Sequence, residues 1–507
     1  MRQYLIAHDI GTSGDKASLF HVDGRLIKSV TKPYETSYPD AVRAEQNAED
    51  WWTAVCSSTK ELLEGYDKRE VAAVCFSGQM QGLLCVDKNG TPLAPFMMYN
   101  DLRAGEETER LKEKVSPWEL YTTTGHPMNS SYTLEKLMWV KAKMPDVYKK
   151  TYKILSAKDY IIYKLTGQFL MDVSNGSATN AMDIREMNWS GKLIEGAGVD
   201  GEMFPELRDA TYVTGEVSAS MSLECGLAAG TPVVLGGGDG QCASVGAGSV
   251  AEGLTYISAG SSSWISTASK IPVFDKDMTI TNFAHIVPGY VCPSGTMQTA
   301  GSALNWVKNT ICRYETAEAK QSGGSPYDSM NEQIAASVPG AGGLLFLPYL
   351  MGERAPRWNP NAKGAFIGLK LSNTRGDILR SVIEGIGMNL DIILNTLRHD
   401  IPIREMGIIG GMAKGNIVCQ IFADIMGMNI NKMKNMDEVG AMGAAVAGGV
   451  GVGVYQDFTA IEKFSGIAAV HEPDGKAHEK YEQIKPLFDK AYYSLKELFD
   501  QMTGVGA

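Results

Sequence analysis

Several residues in this sequence have the types and spacing to handle a phosphate. Gly11-Thr12-Ser13-Gly14 is a turn whose backbone N–H groups can converge on an anion, with two hydroxyls as further donors and Lys16 close by as a positive charge. Its spacing is that of neither a P-loop nor a dinucleotide-binding glycine motif, and by itself it reads equally as a hairpin. Asp9, at the end of an apolar run, needs compensation, for which Mg²⁺ is a common choice. A second small turn, Gly260-Ser261-Ser262-Ser263, favours phosphate over hairpin, because two such loops across a cleft can hold a polyphosphate from both sides. Asp239 ends the stretch TPVVLGGGD, where three glycines clear space for a ligand. A carboxylate there suits a general base that takes a proton from an attacking hydroxyl, and it also suits a helix N-cap. The polar groups of FSGQMQG (76–82) and YNDLRA (99–104) read equally as ordinary loop chemistry or as groups that hydrogen-bond several hydroxyls of one small molecule, in which case Met80, Gln81, Asp101 and Arg103 are the expected contacts.

The elements that must position these groups alternate strand and helix. Residues 4–10 and 16–22 read as strands around the first turn, and the Asp-Gly pair at 23–24 leads into a third, LIKSV. AEDWWTAVCSSTKELLEGY (48–66) has helical spacing and an acidic first turn, and VAAVCFSG (71–78) is again strand-like. The segment 254–270 repeats the strand, small turn, strand layout of the opening. AAVCFSGQMQGLLCV (72–86) has an echo in MGIIGGMAKGNIVCQ (406–420), with GIIGGMAKGN by itself a plain strand-to-helix turn that would also suit as a platform for a nucleotide's base or ribose. These echoes imply an α/β protein with a duplicated organisation, one half over 1–245 and the other over 246–507. The chain is 507 residues long, beyond the size of a single growing core. Its net charge of -11 argues against a broad nucleic-acid or anionic-membrane surface. Eight scattered cysteines without C-x-x-C spacing argue against a zinc or disulfide framework. The start lacks the apolar run of a signal peptide, and the Gly-rich run 439–455 reads as a buried helix, so the cytoplasm is the expected compartment.

Taken in order, DIGTSGDK, EQNAEDWW, SGQMQG, KLMWV (136–140), AKDYIIYKLTG (157–167), GGGDG, FLPYLMGERAPRWNPNAKGAFIGL (346–369), DILRSVIEG (377–385) and GGMAKGN resemble the FGGY carbohydrate kinases, nearest to the xylulokinase branch. The resemblance runs nearly end to end. It implies two domains of the actin-like, ribonuclease-H-like fold around a central ligand cleft. It also implies transfer of the γ-phosphoryl group of ATP, with Mg²⁺, to a hydroxyl of a sugar. Carried over by position, Asp239 matches the catalytic base, which also contacts the sugar, and Asp9 and Asp239 the metal-associated acids. Thr12, Ser13 and Lys16 match the first phosphate loop and Ser261 the second. Gly301 and Asn305 match a segment near the nucleotide, and Gly410 and Gly411 the adenosine motif. A homodimer is the implied assembly.

One position departs from the pattern. Where xylulokinases typically read Q-M-H-G, this chain has Gln79-Met80-Gln81-Gly82. Gln81 still donates and accepts hydrogen bonds but carries no proton at neutral pH, so the change bears on the acceptor rather than on the chemistry. The expected acceptor is a ketose such as xylulose. Another pentulose, a deoxy-ketohexose, a polyol or an aldonate is the alternative, with Arg103 the cation an aldonate would need. From a different class, the fold also suits an actin-like ATPase or a nucleotide-dependent sensor, though neither requires a base at Asp239.

Overall fold

A computed structural model describes residues 2–504. The first sheet opens with the antiparallel meander β1 (Tyr4–Ile10), β2 (Gly14–His21) and β3 (Leu26–Pro33). Asn47 caps the following helix α1 (Ala48–Leu62) by accepting the Glu49 N–H, and Glu49 and Asp50 set negative charge at its N-terminus. β4 (Val71–Gly78) is buried along its whole length and lies parallel to β1. That two-sided burial is why its sequence is a continuous apolar run instead of an alternation. After an excursion that includes helix α2 (Thr133–Lys143), the sheet is completed by β5 (Val213–Glu216) and β6 (Pro232–Gly238), giving the order β5-β6-β4-β1-β2-β3. Helix α3 (Asp239–Gly246) follows β6 directly.

The second sheet repeats this plan. β7 (Thr255–Ala259), β8 (Ser263–Thr267), β9 (Thr281–Ala284) and β10 (Val291–Met297) are antiparallel. Helices α4 (Gly301–Thr310) and α5 (Arg375–Arg398) then precede β11 (Met406–Ile409), which runs parallel to β7. β12 (Ile430–Met433) is parallel to β11, and β13 (Ile467–His471) closes the edge antiparallel, in the order β9-β10-β8-β7-β11-β12-β13. The runs β3-β2-β1-β4-β6 and β10-β8-β7-β11-β12 therefore correspond strand for strand. The duplication is that expected from the echoes in sequence, the ribonuclease-H-like order is that implied by the family resemblance, and residues of both halves line shared cavities.

The halves are joined by two small-residue helices. The helix α6 (Val439–Gly451) follows β12 of the second sheet yet packs on β1, β4 and β6 of the first and crosses α3. The crossing is backbone against backbone. A Cβ on Gly443 would lie 2.0 Å from the Cys242 carbonyl oxygen, and one on Gly246 2.0 Å from that of Val439. The Gly-rich run is thus a buried helix whose composition permits this approach. Among the described residues, no helix is long and apolar enough to cross a membrane.

Candidate active site

The first small turn, between β1 and β2, is held from outside. Its Gly11 carbonyl accepts from the Tyr34 hydroxyl at 2.5 Å, and its Thr12 carbonyl from Gln46 Nε2 at 2.7 Å. Gln46 is itself locked: its Oε1 accepts from Trp51 Nε1 at 3.1 Å and from Gln79 Nε2 at 2.7 Å. The EQNAEDWW motif therefore fixes the turn through Gln46 and Trp51. With the carbonyls drawn away, the N–H groups of Thr12 and Ser13 have no protein acceptor among the described residues, the arrangement an anion needs. Lys16 sits on β2, where its Nζ donates to the Asp437 carbonyl at 2.7 Å and lies 3.2 Å from Glu438 Oε2, at the approach to α6.

Asp9, near the end of β1, accepts the Ser77 hydroxyl at 2.7 Å, and burial raises its carboxyl above the ordinary range. Asp239 is the first residue of α3, with Gly238 in the cap position, so Asp239 is not the N-cap. Its Oδ1 accepts the Gly240 N–H at 2.7 Å. Asp239 is exposed to the cavity it opens onto, with cleft walls around it. That enclosure, followed by the charge of Asp9, pushes it up to about 7, into the range useful to a general base. Met80 lies against the backbone leading into Asp239: a Cβ on Gly238 would be 2.4 Å from its Sδ.

The cavity before Asp239 has a volume of about 260 Å³ and is lined by Thr12, Met80 and Gln81 from the first half and by Trp264 from the second. A larger one of about 700 Å³ adjoins it through shared Gln81, Tyr99, Phe283 and Thr296, and reaches Ser261, Gln298 and Arg354. Gln81 holds a left-handed backbone (φ 64°), a conformation that costs a non-glycine residue about 1 kcal/mol or more. On the second sheet, the Ser261 carbonyl accepts from Ala300 N at 2.9 Å and Ser302 N at 3.1 Å, which docks the start of α4 on the second small turn. Gly301 and Gly410 are close-approach positions: a Cβ on either would lie 2.5 Å from Gly260 O or 2.7 Å from Ala259 O. Gly411 has open space around it.

The fold thus gathers Thr12, Met80, Gln81 and Asp239 on one cavity, with Ser261 on the next, Gly301 against Gly260 and Gly410 against Ala259. Ser13 is exposed at its turn, and Asn305 is exposed on α4 away from both cavities. Asp101 and Arg103 line neither cavity. Asp101 is fully buried and accepts Arg103 Nε at 2.8 Å and Nη2 at 2.6 Å, while Arg103 also reaches Glu45 at 2.5 Å. Two carboxylates pair with Arg103, and it is their neighbours Tyr99, Asn100 and Leu102 that line the cavities. Sequence reasoning gave no role to Trp264, Phe283 or Arg354. Trp264 follows the second small turn directly, and Arg354 lies in GERAP, which was the available signal.

Models of the N-terminal and C-terminal domains of the FGGY family of carbohydrate kinases match residues 4–246 and 255–452. The chain belongs to the FGGY family of carbohydrate kinases. It is 31% identical to the xylulose kinase of Staphylococcus xylosus over 449 residues, covering 88% of this chain and 91% of that one. It is 28% identical to the gluconokinase of Bacillus subtilis over 504 residues, covering 99% and 98%. The crystal structure of xylulose kinase from Rhodospirillum rubrum superposes with a TM-score of 0.91 at 25% identity, covering 98% of this chain and 100% of that one. As an FGGY kinase this protein is a sugar phosphotransferase with ATP as a substrate.

Proposed function

We propose that this FGGY kinase transfers the γ-phosphoryl group of ATP directly to a hydroxyl of a ketose, with xylulose the first candidate, and that Asp239 is the general base. The observation that carries this reading is Asp239 itself, a carboxylate raised to about 7 that opens onto the acceptor cavity between the two small turns. In-line transfer asks the protein mainly for position and charge. Asp239 accepts the proton of the attacking hydroxyl, while the Thr12 and Ser13 N–H groups and the second turn hold phosphate oxygens. Tyr99, Gln81 and Met80 orient the acceptor and displace water from the cavity.

The residues also fit Mg²⁺. Burial raises the carboxyls of both Asp9 and Asp239, and the charge of Asp9 raises Asp239 further, so a cation nearby relieves both. No cluster of three or more ligating His, Cys, Asp or Glu side chains occurs among the described residues. That suits a cation which takes one or two carboxylates and completes its shell with water and substrate phosphate. When bound with the nucleotide, Mg²⁺ neutralises charge on the β- and γ-phosphates.

A second acceptor class, the aldonates, is favoured by Arg354. Its side chain lines the larger cavity and makes no hydrogen bond or ion pair among the described residues, unlike Arg103. The similarity to a gluconokinase over nearly the whole chain points the same way. The test is ADP release from Mg-ATP with xylulose, other pentuloses, deoxy-ketohexoses, polyols and gluconate, with products identified by mass. Turnover highest on xylulose supports the first reading. Turnover highest on gluconate, with its KM raised about tenfold in Arg354→Met, supports the second. ATP hydrolysis that no acceptor stimulates overturns both.

A further inference from the structure

Lys136 lies in the KLMWV stretch on α2 and is fully buried, a place where lysine is rare unless its charge is used. Its Nζ donates to three backbone carbonyls: Gln81 at 3.0 Å, Met98 at 2.6 Å and Ser131 at 2.5 Å. All three hydrogens of the ammonium are therefore used. The three acceptors come from separate segments that share one property. Gln81 lines both cavities, Met98 precedes Tyr99, which also lines both, and Ser131 lines the larger.

We infer that Lys136 is a positioning residue for the acceptor, clamping the three segments of the first half that form the wall of its cavity. The inference rests on the reading of that cavity as the acceptor site. Gln81 shows why a clamp is needed. Its left-handed backbone is unfavourable by itself, so relaxation to an ordinary conformation would swing its side chain away from the cavity. The same helix turn supports the next carbonyl, since Thr133 Oγ1 donates to Gly82 O at 3.0 Å. Burial pushes the Lys136 ammonium down to about 7, against the opposing pull of Asp101 and Glu135. The fold thus holds the group at a cost that an apolar side chain would not incur, and an apolar side chain would leave three carbonyls without their donor.

The test is Lys136→Met, nearly equal in length and without donors. Expected is a rise of about tenfold or more in KM for the acceptor, with KM for ATP within about twofold of wild type. Paired with Gln81→Ala in a double-mutant cycle, the effects on acceptor KM should be non-additive, because Lys136 acts through Gln81. Unchanged acceptor KM in a folded variant, or acceptor and ATP KM rising together, overturns the inference. Should Lys136→Met fail to fold, Lys136→Gln, shorter and uncharged but still a donor, takes the same measurements. Hydrogen exchange separates this inference from the acceptor reading, because it needs no turnover. In either variant, amides at 81–83 and 98–100 should exchange faster, while those at 260–262 should not change. Unaltered exchange at 81–83 overturns the clamp whatever the acceptor proves to be.

Discussion

The crossing of α3 and α6 ties the site to the junction between the halves, and Gly443→Ala perturbs that crossing at one atom. The added Cβ would sit 2.0 Å from the Cys242 carbonyl oxygen and 2.9 Å from its Cα. An ordinary carbon–oxygen contact is over 3 Å, so one helix must retreat by about 1 Å, and overpacking of this kind costs about 1–3 kcal/mol. The displaced residue, Cys242, is one turn from Asp239 on the same eight-residue helix, so the retreat is transmitted to the base. Misplacement by about 1 Å costs on the order of 10²-fold in rate. The expected outcome is a melting temperature lowered by several degrees and kcat lowered by about 10²-fold, with the acceptor bound. Gly475→Ala is the control, because nothing lies within 4 Å of its new Cβ, and it should change neither quantity. Wild-type melting temperature and kcat in Gly443→Ala would refute the idea that this backbone contact fixes Asp239.

Two further outcomes follow from the site. Asp239 is raised from 3.8 to about 7 in the folded protein, so its ionised form destabilises the fold fully above about pH 7, progressively less as pH falls, and not at all below about 4. In thermal melts without ligands, Asp239→Asn should be more stable than wild type at pH 8, with the gain vanishing near pH 4; a gain independent of pH would contradict the raised value. Gln46→Leu leaves the Thr12 carbonyl, Trp51 Nε1 and Gln79 Nε2 without their partner. KM for ATP should rise about tenfold, as loss of a buried hydrogen-bonded group costs about 1–3 kcal/mol, and an unchanged KM would show that the first turn needs no such brace.

Much of the fold was legible because its signals are local. The opening strands, the capped amphipathic helix of EDWW and the apolar run VAAVCFSG each carry their own periodicity, and the two small turns repeat one layout. What was not legible depends on pairing over distance. Nothing near Asp101 and Arg103 announces that they satisfy each other and Glu45, so two charged residues in a polar stretch read as ligand contacts. The place of Lys136 in KLMWV does not show its burial, because the carbonyls it donates to lie at 81, 98 and 131. Trp264 and Phe283 sit at strand positions where core packing is the default reading, and they face the cavity instead. The composition of the Gly-rich helix α6 predicted its burial, but its packing on the sheet of the other half is set by topology.

The most direct test of Asp239 as the base compares wild type with Asp239→Asn in both turnover and binding. If Asp239 takes the proton of the attacking hydroxyl, the variant binds ATP and the acceptor within a few-fold of wild type by calorimetry, while kcat falls by about 10²–10⁴-fold. Turnover near the wild-type rate, with binding retained, would contradict that role.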